Sequence, residues 1–265
     1  MLQLIQQSAL LIGTAMGAIT DTKTGYIYDW ITYPMIFLGF ILSVMQQQWN
    51  NILIAAILFA ILFAAYKLGK LGGGDVKIFA GIALLNPSND YMFLATTMLF
   101  AAMGAMIFYS TYYTIKYAKK GIKIEENKKG IQKAILFGAI IIIYFFILIS
   151  MNLIGIASGA IIFTPMIFGL IFIALQEGIT KNFFEEKIML KEIEEDEVIA
   201  ERNPKKVLEL LKGSKIIGEK EKKILEKHGI KSIYALRKLP PFGPFILLGI
   251  AGALMQPGFF LLLFM

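Results

Sequence analysis

The chain has no cysteine and a single histidine, His228. Disulfides, thiol nucleophiles and cysteine-ligated metals are thereby excluded. A zinc peptidase that carries two histidines on one helix is excluded as well. A serine enzyme with a histidine base has no candidate, because His228 lies in the most charged part of the sequence, away from the apolar runs. Charge itself is scarce: charged residues make up 17% of the 265 positions against 57% hydrophobic, and the mean hydropathy is +0.67. A chain this apolar belongs in a bilayer. Its first apolar run has no basic start and no small-residue cleavage site, so it reads as a retained span and not as a removed signal. The net charge of +7 reads as topological bias and attraction to anionic lipid headgroups, and no nucleic-acid partner is expected.

Hydrophobic runs fall at about 2–20, 31–46, 51–66, 76–86, 91–115, 134–151, 158–177 and 242–263. Measured against the roughly 20 residues needed to cross a bilayer, they predict an all-α polytopic membrane protein with about eight, and at least six, transmembrane helices. The run 76–86 is the shortest, and 134–177 also reads as one broken hairpin around Gly155, Ser158 and Gly159. All 26 Lys and Arg residues sit in 21–30, 67–77, 116–133 or 178–241, whereas 46–51, 86–90 and 151–158 hold none and only one acid, Asp90. The positive-inside rule then makes the basic connections cytoplasmic and puts both chain ends outside.

Residues 181–239 are rich in Lys and Glu and read as a small cytoplasmic α/β insert. It divides a transmembrane catalytic domain, 1–180, from a final helix of that domain within 240–265. An acidic patch runs from Glu192 to Glu197. Pro204 suits the first turn of a helix through Val207, Leu208, Leu210 and Leu211, with Gly213 at its end. A second helix is predicted over Glu219 to Lys227 with Gly229 as its stop, followed by a strand from Ser232 to Leu236. A solvated module packed on the membrane domain explains this region without further function, and His228 reads as a surface residue.

What the apolar part does contain is carboxylate. Asp21 follows the first span, Asp29 precedes the second, and Asp75 closes the run Gly72-Gly73-Gly74-Asp75 ahead of the fourth. An ionisable side chain at that depth is a candidate for function. Two adjacent aspartates do not both ionise easily, so one keeps a proton while the other stays anionic, which supplies an acid and a base in one place. Glycines before the acid let the backbone take unusual φ values and let another chain come close, or pair with it as a strand. A glycine hinge with an ordinary Asp helix cap explains the same residues without chemistry.

Gly72-Gly73-Gly74-Asp75-Val76-Lys77 resembles the G-x-G-D-x-K motif of the type IV prepilin and archaeal preflagellin peptidases, which are membrane aspartic proteases. Asp21 stands where that family carries its first catalytic aspartate, and the stretch Asp21 to Asp29 resembles the family's run of an acid, a basic residue and an isoleucine, with Tyr28 where bacterial members commonly have proline. Pro241-Phe242-Gly243-Pro244-Phe245 is similar to the proline-rich lead-in to the family's last span, although prolines opening a helix account for it equally. The resemblance covers 1 to about 86 and the last span. It implies an aspartic endopeptidase with Asp21 and Asp75 as catalytic residues and with Gly72, Gly73, Gly74 and Lys77 as motif or substrate-binding residues. It also implies no metal or other cofactor, and pilin-like or archaellin-like precursors as partners, cut at the cytoplasmic face of the cell membrane to release class III signal peptides.

Asp29 is the rival first aspartate, because Tyr28-Asp29 has the Tyr-Asp pattern of the presenilin and signal-peptide-peptidase branch, whose Pro-Ala-Leu signature is missing here. A helix cap explains Asp29 as well. A proton- or cation-coupled transporter also uses embedded aspartates and glycine hinges, but it would place an acid at mid-span, where this chain has none.

Overall fold

The structure is a computed structural model and describes residues 1–69, 71–193, 197–211, 214–237 and 239–259. The apolar runs each form a helix: α1 Leu2–Thr24, α2 Asp29–Met45, α3 Trp49–Lys67, α4 Gly73–Leu84, α5 Tyr91–Lys120, α6 Lys128–Ser150, α7 Ile156–Ile179 and, after the insert, α10 Gly243–Met255. The region 134–177 is thus two helices with a turn between them. Among the described residues α1, α3, α5, α6 and α7 are long and apolar enough to cross a membrane, which makes this a multi-pass membrane protein. The helices α2, α4 and α10 are shorter than that, so the eight apolar helices include five of crossing length; the end of the last run, from 260 on, lies outside the described residues.

The shortest helix is the most enclosed. Val76 and every residue from Ile78 to Leu84 are buried, as expected of a helix that is apolar all round. The helices α2 and α3 flank it, while Leu10 of α1, Phe93 of α5 and Ile246 and Ile250 of α10 complete the same core. Gly39 makes the α2–α4 approach possible, since a Cβ there would sit 2.7 Å from Leu84 Cβ.

The bundle end without basic residues is closed by a buried amide network. Gln6 Nε2 donates to Gln48 Oε1 at 2.7 Å, Asn51 Nδ2 donates to the same oxygen and to the Asn86 carbonyl, and Ser43 Oγ donates to the Leu84 carbonyl. These bonds fix the far end of α4 to α2 and α3. Asn51 is 1% exposed, so Asn51→Ala takes this donor from the buried Asn86 carbonyl and leaves Gln48 Oε1 with Gln6 alone. It is expected to destabilise the detergent-solubilised protein by about 2 kcal/mol, read as a lowered melting temperature.

The region before α10 folds as an α/β unit, in keeping with its sequence. Its sheet has the order β1-β4-β2-β3, with β1 Glu185–Met189, β2 Glu197–Ile199, β3 Ile216–Ile217 and β4 Ser232–Leu236, and it carries α8 Lys205–Leu210 and α9 Glu219–Lys227. The strands pair antiparallel, with Glu185 opposite Leu236 and Ile188 opposite Ile233. A separate core of Ile188, Val207, Ile217, Leu225 and Ile233 holds the unit together. The second helix and the strand at Ser232 lie where the sequence predicts them, and Gly229 ends α9 at φ 73°. Pro204 is the N-cap of α8 and not a residue of its first turn, while Gly213 and most of the acidic patch lie outside the described residues. The unit sits on the bundle: Phe184 packs edge-on against Tyr113 of α5 at 4.8 Å between ring centres, and Lys181 pairs with Glu126 at 2.8 Å.

Candidate active site

Asp21 lies in the last turn of α1. Gly25 ends that helix in the left-handed conformation at φ 76°, and its amide donates to the Asp21 carbonyl at 2.8 Å. The chain then crosses to α2 through Ile27, which is buried directly over the first turn of α4. That turn starts at Gly73, with Gly72 as N-cap and Asp75 as the third helical residue.

The glycines are needed for close approach and not for unusual torsions. Gly72 has φ −74° and ψ 147°, and neither Gly73 nor Gly74 has positive φ. A Cβ on Gly74 would lie 2.7 Å from the Ile27 carbonyl oxygen, inside any permitted contact, and one on Gly72 would lie 3.2 Å from Asp75 Oδ2. At Gly73 a Cβ would meet only the Tyr66 ring at 3.5 Å, an ordinary contact. Close packing is thus demanded at the two glycines of G-x-G-D and not at the position between them. Since Gly73 and Gly74 are helical, the run does not offer a strand for a peptide to pair with, which corrects that expectation.

A second close approach, Gly17 of α1 on Ile78 of α4, with a would-be Cβ 2.8 Å from Cδ1, draws the two helices together. As a result Asp21 and Asp75 lie within reach of each other's charge. Asp21 is 7% exposed, and Asp75 is half-buried beside the exposed Gly72. Asp29 goes elsewhere. Its Oδ1 pairs with Lys77 Nζ at 2.5 Å, its side chain is 52% exposed, and the same ammonium lies 5.0 Å from the centre of the Tyr33 ring. Asp29 is the first residue of α2 and makes no side-chain cap, so an ion pair replaces the capping role considered from the sequence. Lys77 ties α4 to α2. His228 ends α9, its ring Nδ1 2.8 Å from the Ile224 carbonyl oxygen.

The site includes a contributor that the sequence does not flag. The Gly243 amide, opening α10, donates to Asp21 Oδ2 at 2.6 Å, and the Phe242 amide also faces this carboxylate. A Cβ on Gly243 would lie 2.9 Å from Ala18 Cα, so α1 and α10 touch backbone to backbone here. Tyr109 of α5 donates its hydroxyl hydrogen bond to the Pro241 carbonyl, immediately before this turn. The motif Pro241 to Phe245 was the available signal, though its prolines alone suggest no more than a helix start.

The fold is that of a polytopic membrane protein in which two carboxylates from different helices lie within reach of each other's charge beside a glycine-lined turn. Residues 8–111 match the type IV leader peptidase family, which bears out the prepilin and preflagellin peptidase resemblance and supports a type IV leader peptidase-like protease. The matched segment contains Asp21, Asp29, Gly72 to Asp75, Lys77 and Tyr109, and it ends before the insert and α10. No curated protein and no solved structure matches the chain.

Proposed function

We propose that the protein is an aspartic endopeptidase in which Asp21 and Asp75 together cleave the leader from pilin-like or archaellin-like precursors. The observation that carries this reading is the approach of those two carboxylates while Asp29, the rival, is engaged by Lys77. One carboxylate takes a proton from water as its oxygen attacks the scissile carbonyl, and the other supplies a proton to the developing oxyanion. Asp75, half-buried beside exposed Gly72, is the member open to an arriving peptide.

The connections carrying the basic residues gather at the bundle end that holds both aspartates, since the insert reaches Gly69 through Lys215 and residue 126 through Lys181. The positive-inside rule favours the cytoplasmic face for that end. Such a site reaches the junction between a basic leader and an apolar helix.

The test is to incubate the purified protein with a pilin-like and an archaellin-like precursor and to map any cut by mass spectrometry. Cleavage at the leader junction that is lost in Asp21→Asn and in Asp75→Asn is the expected result; cleavage that survives both substitutions sinks the proposal. In the same assay Asp29→Asn is expected to keep cleavage within about tenfold of the unsubstituted enzyme, because an exposed ion pair is worth only about 0–1 kcal/mol. Loss of activity in Asp29→Asn alone would instead favour the presenilin-like pairing of Asp29 with Asp75.

A further inference from the structure

We infer that the turn from Pro241 to Pro244, pinned by Tyr109, is a positioning element that holds Asp21 as the ionised member of the pair and so assigns it the role of base and Asp75 that of acid. The inference rests on the proposed reading of the two aspartates as a catalytic pair. An amide N–H can only donate, and a donor aimed at a carboxyl oxygen bonds more strongly to the anion than to the neutral acid. Asp21 accepts the Gly243 amide at 2.6 Å with the Phe242 amide facing the same carboxylate, whereas Asp75 is faced by the Gly72 amide alone among the described residues. Two carboxylates in reach of each other share one proton readily, and the less supported of the two, Asp75, carries it.

The donors are rigidly placed. Tyr109 bonds to the Pro241 carbonyl, and its ring packs edge-on against Phe245 at 5.2 Å between centres. Further along α10, Gly249 lies so close to α5 that a Cβ would sit 2.3 Å from the Thr97 carbonyl oxygen. The turn is therefore fastened to α5 as well as to α1, and the Asp21 carboxylate is held against it. Among the described residues the titratable groups facing Asp21 are Asp75 from α4 and Tyr109 from α5, and α10 offers only backbone amides. On α2, Asp29 and Tyr33 are taken up by Lys77.

The chemistry then runs in a balanced order. Asp21 accepts a proton from water as the water oxygen bonds to the scissile carbonyl carbon, and Asp75 gives its proton to the carbonyl oxygen. On collapse the C–N bond breaks, the proton on Asp21 passes to the leaving amine, and Asp75 recovers its proton from the hydroxyl. Both groups return to their starting states.

The test measures the pH dependence of kcat/KM for precursor cleavage in three forms of the full chain besides the unsubstituted one. Tyr109→Phe removes the hydroxyl that pins the turn. An ester in place of the Phe242–Gly243 amide removes the donor with no added bulk. Phe245→Leu disturbs the neighbouring packing and leaves both hydrogen bonds in place. The expected result is an acidic limb moved up by about one pH unit, a tenfold change in the proton equilibrium, in the first two forms, with kcat lowered about tenfold, KM nearly unchanged and the alkaline limb unmoved. Phe245→Leu is expected to lower the melting temperature without moving either limb. If the unsubstituted enzyme cleaves and both hydrogen-bond variants superpose on its profile, the inference fails while the proposed function stands. A shift of the alkaline limb instead would make Asp21 the acid and overturn the assignment. An unsubstituted enzyme that cleaves no precursor overturns the proposed function, and the role assignment with it.

Discussion

Asp75→Asn is expected to lower kcat/KM for precursor cleavage by about a thousandfold or more while leaving the fold intact. Asparagine has the size and shape of aspartate and fits the same space beside Gly72. What it cannot do is exchange a proton, and a positioned acid or base contributes about 10²- to 10⁴-fold. Asp21→Asn is expected to fall in the same range, and the double variant to be no slower than the slower single one, because groups that act as a unit are not additive. The measurement is the rate of leader release at matched enzyme concentration, with melting temperature as the check on folding. Cleavage within tenfold of the unsubstituted rate in Asp75→Asn would remove this residue from the machinery.

Gly74→Ala is expected to be nearly as damaging by a different route. Its new methyl would meet the backbone and Cβ of Ile27 at 2.7 and 2.8 Å, and neither is the free end of a flexible side chain. Either the 25–28 connection or the first turn of α4 has to move, and overpacking of this kind costs about 1–3 kcal/mol. The same movement shifts Asp75 relative to Asp21, and a displacement of order 1 Å at a reacting group lowers rate by about a hundredfold. Gly73→Ala, which meets only the Tyr66 ring at 3.5 Å, is expected to keep both stability and cleavage near the unsubstituted values. If the two alanine variants behave alike, the close approach at Ile27 is not what the second glycine of the motif serves.

Much of this arrangement is legible along the chain because it depends on local pattern. Apolar runs of sufficient length become helices, and in the insert the Glu219–Lys227 helix is bounded by a Gly at each side and by charges that keep it amphipathic. The strands β1, β2 and β3 are harder to read. Glu185-Glu186-Lys187-Ile188-Met189 shows little alternation, and its strand character comes from pairing with β4, some forty residues further on. The number of crossing helices is not set by hydrophobicity alone either: the last seven residues of α4, Ile78 to Leu84, are all apolar, yet they are spent on the protein interior and not on lipid. Within the site, the motif residues identify Asp75 and Asp21, while the close contact at Gly74 depends on where Ile27 lands. Asp29 illustrates the limit, since nothing in Tyr28-Asp29 reveals that Lys77 will claim it.

The bond from Gly243 to Asp21 joins residues 222 positions apart. Both aspartates, the glycine run and the entire family-matched segment have been synthesised long before Pro241 leaves the ribosome. During that interval the nascent chain holds an acid pair without the amides that fix one of its members. The final helix thus acts as the closing step of assembly: a fragment ending at residue 240 would carry every residue of the motif and still lack the contact that sets Asp21 in place.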